Sequence, residues 1–372
     1  LLLPHEIARA GLDAQDAGLA TELTYGTLRR RGTYDAVIRV AADRDLDRID
    51  PPVLDALRLG VHQLLSTRVA SHAAVHESVE LVRRGENAGA AGFANAVLRR
   101  VSRDTPGAWM TKAAASARSD DERLGITSSH PVWILRAFRR ALAAEDRADE
   151  LEALLAADND APRVGMIALP GLADIPEDAQ PSRYSPFAFT TRGGDPEGMV
   201  TSSGGRLRVQ DEGSQLAALA LTRATPVAAG ERWLDLCAGP GGKTALLGAE
   251  ALAFGATLEA NEVALARAEL VRRAVAAVPM EIDVSVEDGR TRAARGRYSR
   301  ILVDAPCTGI GALRRRPEAR WRKSPADVPG LAQLQIELVL AAIDALEPGG
   351  VVAYVTCSPH LAETAAVLAE VH

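Results

Sequence analysis

The chain has little cysteine: Cys237, Cys307 and Cys357 are the three in 372 residues. They are too few and too far apart for a disulfide framework or a cysteine-rich zinc site, which points to reduced thiols in a cell interior. Basic charge is not in surplus either. Forty-three Lys and Arg stand against 49 Asp and Glu, a formal charge of -6, so no global cationic field announces nucleic acid and any such partner must meet a local patch. No uninterrupted apolar run approaches the roughly 20 residues of a membrane-spanning helix. The opening Leu1-Leu2-Leu3-Pro4-His5-Glu6 has neither the basic leader nor the long apolar stretch of a signal peptide. These absences predict a cytoplasmic protein with no membrane partner. An initiator Met and internal repeats are missing too. What remains is ordinary globular composition, 47% apolar and 25% charged, which argues against disorder. A chain of this length suits two or three domains, each with its own core.

Residues 1–105 read as helices joined by short turns. Asp50-Pro51-Pro52 supplies an N-cap and a first-turn Pro, and Leu54, Leu57, Val61, Leu64 and Leu65 then share one face. Similar stretches run from Asp16 to Arg30, Ala74 to Arg84 and Ala91 to Val101. His62, His72 and His76 share no metal-ligand spacing and read as structural or surface residues, so no metal site is expected. A docking module is the natural reading. Residues 106–205 form a connector. Pro131 to Leu135 leads into a helix and Arg163 to Leu169 reads as a strand, but Gly171 to Gly205 is rich in Pro, Gly and Ser, as loops are. From 206 to 372 the pattern changes to short β-rich runs alternating with helical segments. Strands are predicted at Arg232–Cys237, Ala256–Asn261, Glu281–Val286, Arg300–Val303 and Val351–Thr356, the signature of βαβ units and a parallel sheet.

The first of these strands runs into Cys237-Ala238-Gly239-Pro240-Gly241-Gly242-Lys243-Thr244. Gly242-Lys243-Thr244 copies the end of a P-loop, but Cys237 stands where its first glycine belongs. The dinucleotide fingerprint fails as well, with Thr244 at its third glycine. A Gly-rich turn entering a helix remains, either a structural turn or a place where a ligand meets the backbone closely. The next strand favours the ligand. Glu262 stands 21 residues beyond Gly241, where doubly wound nucleoside sites put a carboxylate for ribose hydroxyls. Asp288 and Asp304 follow the third and fourth strands. With no basic residue beyond Lys243 to hold a pyrophosphate, S-adenosylmethionine fits better than a dinucleotide.

Cys307 and Cys357 follow the fourth and fifth strands, whose ends share one edge of a doubly wound sheet. Both thiols are therefore expected in one cleft. A thiolate adding to carbon 6 of a pyrimidine makes carbon 5 nucleophilic enough to take a methyl group. Free cysteine has a pKa of about 8.5, so such a site must favour the thiolate. Asp304 is then suited to the base edge of cytosine. After Cys307 the segment from Ala312 to Lys323 carries six basic residues and one acid. Arg314, Arg315, Arg316, Arg320 and Arg322, with Trp321 as a stacking surface, read as an RNA-binding patch; the alternative is a solvated basic helix end.

In order, LDLCAGPGGKT, ANE, EDGR, VDAPCTGIG and YVTCS, within about Gln210 to Ser358, resemble the motifs of the RNA cytosine-C5 methyltransferases, the Nol1/Nop2/Sun family. The N-terminal TELTYGTLRRRGTYD and AAGFANAVLRRV resemble the NusB-like RNA-binding domain of its 16S rRNA branch. The resemblance implies a multidomain chain: an α-helical NusB-like bundle (1–105), a connector or small α+β subdomain (106–205) and an α/β Rossmann-like methyltransferase domain (206–372), incomplete at its C-terminal end because relatives continue beyond the position of His372. It implies Cys357 as nucleophile and Cys307 in product release. DNA cytosine methyltransferases use the Pro-Cys cysteine instead, and the Thr356-Cys357-Ser358 motif decides for Cys357. S-adenosylmethionine would be held by Cys237, Ala238, Gly239, Pro240, Gly241, Gly242 and Lys243, with Glu262 on the ribose, Asp288 on the adenine edge and Asp304 near the reacting groups. Gly239 departs from the Ala common in relatives, a change that makes the turn no bulkier. The implied partner is 16S rRNA within an assembling small subunit, met by a monomer; methylation of tRNA, or a non-catalytic assembly factor, are the alternatives.

Overall fold

The computed structural model describes residues 2–85, 88–191 and 195–372. They fall into two compact units, one of residues up to 161 together with 310–325, the other of 162–309 together with 326–372. The expected boundaries at 105 and 205 do not coincide with the limits of these compact units. The connector is not a unit of its own: its helices to Ala157 join the helical unit and its strands join the sheet unit. The basic segment after Cys307 is likewise part of the helical unit. Its apolar residues explain this, since Ile310 and Leu313 are buried among Ile134, Leu135, Phe138, Leu151 and Leu155.

In the helical unit the Pro51–Ser66 helix starts with Pro in its first turn, where a missing N–H costs nothing. Leu54, Leu57 and Val61 are buried and Leu64 and Leu65 partly so, beside Tyr34, Val37, Ile38, Leu98 and Trp109. That is the apolar stripe read from the sequence. Asp13 caps the Ala14–Arg29 helix by accepting from the Asp16 N–H at 2.8 Å. His62 is buried beneath this helix layer and bonds the Tyr34 hydroxyl at 2.8 Å. A cavity of about 480 Å³ in this unit is lined by Glu22, Arg29, Arg30, His62 and Asp160; its two acids and two arginines cancel, so it carries no charge preference, and none of the cysteines lines it.

The sheet unit begins with four short strands, β1 (Gly165–Ala168), β2 (Gln180–Pro181), β3 (Ala188–Thr190) and β4 (Leu207–Val209), paired antiparallel in the order β2-β3-β1-β4. Five more, β5 (Arg232–Asp235), β6 (Thr257–Asn261), β7 (Asp283–Ser285), β8 (Tyr298–Asp304) and β9 (Leu346–Val355), form a parallel sheet in the order β7-β6-β5-β8-β9. Central strands buried on both faces should read as unbroken apolar runs. Ile301, Leu302 and Val303 of β8 do so, all fully buried. One face packs Trp233, Leu246, Leu247 and Leu258, the other Leu234, Ile301, Val303, Leu338 and Val339. The chain turns right and left from β5, which makes the β5/β8 boundary the topological switch point. In such Rossmann-like sheets, ligands bind at the carboxyl ends of strands at that point.

Candidate active site

The glycine turn from 237 to 241 lies at the carboxyl end of β5 and feeds the Gly242–Phe254 helix. Gly241 has φ +102°, and a Cβ there would lie 2.5 Å from Ala274 Cβ. A Cβ on Gly239 would collide with Glu262 Oε2, the atom to which its N–H donates at 3.1 Å. The glycines thus let the turn close onto Glu262 and the Leu265–Val275 helix. Glu262 is buried and also accepts from the Ala264 N–H at 3.0 Å, with Arg267 3.4 Å away.

Lys243 donates to Asp304 Oδ2 at 2.8 Å, tying the glycine turn to the end of β8. The turn's single cation is therefore matched by an acid. Asp288 caps the Gly289–Ala293 helix through the Arg290 N–H and pairs with the Arg290 guanidinium, which holds its carboxyl down at about 2. Gln210 is buried with neither atom of its amide partnered, and Gly242 lies alongside it. Three acids at successive strand ends, a neutralised lysine and an open amide fit a ligand that is cationic and rich in hydroxyls, as S-adenosylmethionine is, and do not fit a pyrophosphate.

Two neighbours of this turn lie within the LDLCAGPGGKT and ANE motifs, but the sequence alone assigned neither a role. Asp235 is wholly buried, accepts from the Thr244 hydroxyl at 2.8 Å and has its other oxygen unpartnered; burial pushes its carboxyl up to about 7. Asn261 donates to Leu236 O and Glu287 O and accepts from the Ser285 hydroxyl. It binds the ends of β5, β6 and β7 together. Cys237 is a half-buried thiol pushed upward by desolvation and by the carboxylates around it, which disfavours its thiolate at neutral pH.

Cys307 and Cys357 come together. β8 and β9 pair in parallel with Asp304 opposite Val355, so each cysteine lies in the turn just beyond its strand, and their Sγ atoms are 3.4 Å apart. The hydrogen bond from the Cys357 thiol pulls Cys307 down to about 6 against the opposing effect of burial, with further help from Thr356 and the Gly309 and Cys357 N–H groups. The same contact, more than any burial of this exposed residue, pushes Cys357 up. The contact thus favours the thiolate on Cys307 over that on Cys357. A third side chain, Glu363, lies wholly buried against both turns; it stands beyond the motifs, and a lone Glu after a turn gave no signal.

The basic segment needs a correction. Arg314, Arg315, Arg316 and Arg322 are exposed, but Arg320 is 1% exposed. Its guanidinium bonds Arg29 O, Ser129 O, Asn159 Oδ1 and Asp158 O, so it is a strut of the helical unit and not a phosphate ligand. Trp321 lies against Gly32, donates to Leu28 O at 2.7 Å and has the Arg31 guanidinium over its ring. One face of its ring is therefore already occupied. Among the described residues, no three His, Cys, Asp or Glu side chains gather as a metal site, and no helix is long and apolar enough to cross a membrane.

Comparison with known proteins accounts for both units. The family described as 16S rRNA methyltransferase RsmB/F matches residues 224–371, and the NusB family matches residues 2–103. A Mycobacterium tuberculosis protein that carries the name methyltransferase is 49% identical over 376 residues, spanning 100% of this chain and 81% of its own. Ribosomal RNA small subunit methyltransferase B of Pseudomonas putida is 31% identical over 363 residues, 93% of this chain and 79% of that protein. The crystal structure of PH0851 superposes with a TM-score of 0.79 at 22% identity, over 96% of this chain and 81% of that one, and shares the fold. With the paired thiols and the acid-lined switch point in place, the chain belongs to the RsmB/F family of 16S rRNA methyltransferases and is an RNA methyltransferase.

Proposed function

We propose that the protein methylates carbon 5 of one cytosine of 16S rRNA, with Cys357 bonded transiently to carbon 6. The observation that carries this reading is the thiol pair itself, 3.4 Å apart at the ends of neighbouring strands. S-adenosylmethionine supplies the methyl group as a sulfonium, and the residues suited to hold it are the turn from Cys237 to Lys243 with Glu262, Asp288 and Asp304. Cys307, as thiolate, accepts the Cys357 proton while the Cys357 sulfur adds to carbon 6. Carbon 5 thereby gains enamine character and attacks the methyl group. Cys307, its proton passed to solvent, then takes the proton from carbon 5 as the sulfur–carbon 6 bond breaks and Cys357 is regenerated. Asp304, 27% exposed and already fixed by Lys243, offers an acceptor to the amino edge of the base.

Undermodified 16S rRNA, free and within small subunits, and tRNA are the substrates to test, with bisulfite mapping of the product. Cys357→Ala is expected to abolish methylation and to form no covalent RNA adduct. In Cys307→Ala the remaining thiol returns toward about 8.5, so a few per cent is thiolate at pH 7. The adduct then forms slowly, fails to resolve and accumulates on a denaturing gel. The reverse pattern would assign attack to Cys307, and methylation of tRNA alone would move the substrate.

A further inference from the structure

Each cysteine is followed by a hydroxyl residue, Thr308 after Cys307 and Ser358 after Cys357. Both hydroxyls are buried, and both turn away from the thiols toward one carboxylate. Glu363 Oε2 accepts from Thr308 Oγ1 at 2.5 Å and from Ser358 Oγ at 2.6 Å. Glu363 Oε1 accepts from the Thr308 N–H at 2.8 Å and from Gln335 Nε2 at 3.2 Å. Four donors meet the four lone-pair sites that a carboxylate offers. Gln335 extends the tie by donating to Pro306 O at 2.8 Å and accepting from the Tyr354 hydroxyl at 3.0 Å. Pro306 precedes Cys307, and Tyr354 lies on β9 ahead of Cys357.

A carboxylate in a dry site is costly unless its bonds are complete, and a well-packed apolar group of similar volume would often serve stability equally well. What an apolar group cannot do is hold two separate turns by directional bonds. From this we infer that Glu363 is a positioning residue for methyl transfer, clamping the two cysteine turns so that their sulfur atoms stay in hydrogen-bond contact. The inference rests on the roles proposed above for Cys307 and Cys357. The clamp matters because, of the groups that lower Cys307, the Cys357 thiol, the Cys357 N–H and Thr356 all belong to the other turn, and the Gly309 N–H to its own. A shift of about an ångström between the turns would remove the first three together.

The full-length chain tests this through the pH dependence of alkylation by iodoacetamide, read at each cysteine by mass spectrometry, together with methyl-transfer kinetics and S-adenosylmethionine binding. For Glu363→Ala the Cys307 alkylation midpoint should rise by at least one pH unit, toward the ordinary thiol value of about 8.5. The kcat should fall at least tenfold, while cofactor affinity stays within about twofold. Glu363→Gln keeps one acceptor oxygen and the side-chain shape, and should restore part of both effects. If Glu363→Ala does not fold, Ser358→Ala and Thr308→Val each remove one hydroxyl arm and should move the midpoint in the same direction. An unmoved midpoint in the folded variants overturns the clamp, whatever happens to kcat. The midpoint reports the clamp whether or not Cys357 attacks cytosine, so activity surviving in Cys357→Ala would sink the covalent reading and leave this one standing.

Discussion

Arg320 shows that position, and not residue type, decides what a cation does. It stands in a run of arginines that look alike in sequence, yet it alone among the five is buried, its guanidinium shared by three backbone carbonyls and an amide oxygen. The planar fork suits this, since it can donate in several directions at once. Arg320→Ala would strand those acceptors in a site too dry for water to replace the donor fully. At about 1–3 kcal/mol for each orphaned buried group, and with incomplete additivity, a loss of roughly 4 kcal/mol is expected. Urea denaturation should register it as a lower midpoint with little change in slope. RNA affinity of the folded fraction should stay within about twofold. A stable Arg320→Ala protein with weakened RNA binding would return the residue to the interface. Arg320→Lys, with a compact ammonium in place of the fork, should fall between.

At the scale of elements, the exposed part of the same segment is where the RNA contact read from the sequence would fall. Arg314, Arg315 and Arg316 form a turn between the short helices Ile310–Ala312 and Ala319–Arg322. If they meet phosphates of single-stranded RNA, each contact contributes about 0.7 to the slope of log affinity against log salt. Replacing all three by Ala should then lower that slope by about 2 and leave S-adenosylmethionine binding unchanged. Binding that stays equally salt-sensitive would place the phosphate contacts elsewhere. The longer elements were legible in advance because their apolar periods are local: the Ala91–Val101 helix matches its expected span, and β5, β6 and β7 lie within theirs. The stretch from Gly171 to Gly205 was not. It reads as loop but holds β2, β3 and the Pro196–Ser202 helix, because strands of two or three residues carry no period and are defined by partners far along the chain. Glu363 escaped for a related reason. Its meaning lies in Thr308, 55 residues away, and no spacing within one element encodes that.

For the whole molecule, the glycine turn, the acids and the paired cysteines were readable as an ordered set, whereas the boundary between units was not. Composition shifts suggested 105 and 205, but burial of Ile310 and Leu313 joins a late segment to the early helices. The two units also carry buried titratable groups of opposite sign, which predicts opposite responses to pH. In the helical unit, burial aided by Arg30 and Arg29 pushes His62 down to about 4. Its contribution to stability is complete above about 6.5, the unfolded value, and is lost as pH falls toward 4, because the unfolded chain takes the proton first. Each tenfold change in proton affinity is worth about 1.4 kcal/mol, so the loss approaches roughly 3 kcal/mol. In the sheet unit, Asp235 is pushed up to about 7. Its contribution is complete below about 3.9 and is lost as pH rises through 7, by up to roughly 4 kcal/mol. Many other carboxylates titrate over the same range, so raw stability curves mix these effects and difference curves are needed. Urea unfolding between pH 4.5 and 7.5 should show the stability of wild type relative to His62→Gln climbing with pH. Relative to Asp235→Asn it should decline over the same range. Difference curves that are flat, or that slope the same way for both variants, would show that these two side chains do not set the pH response of their units.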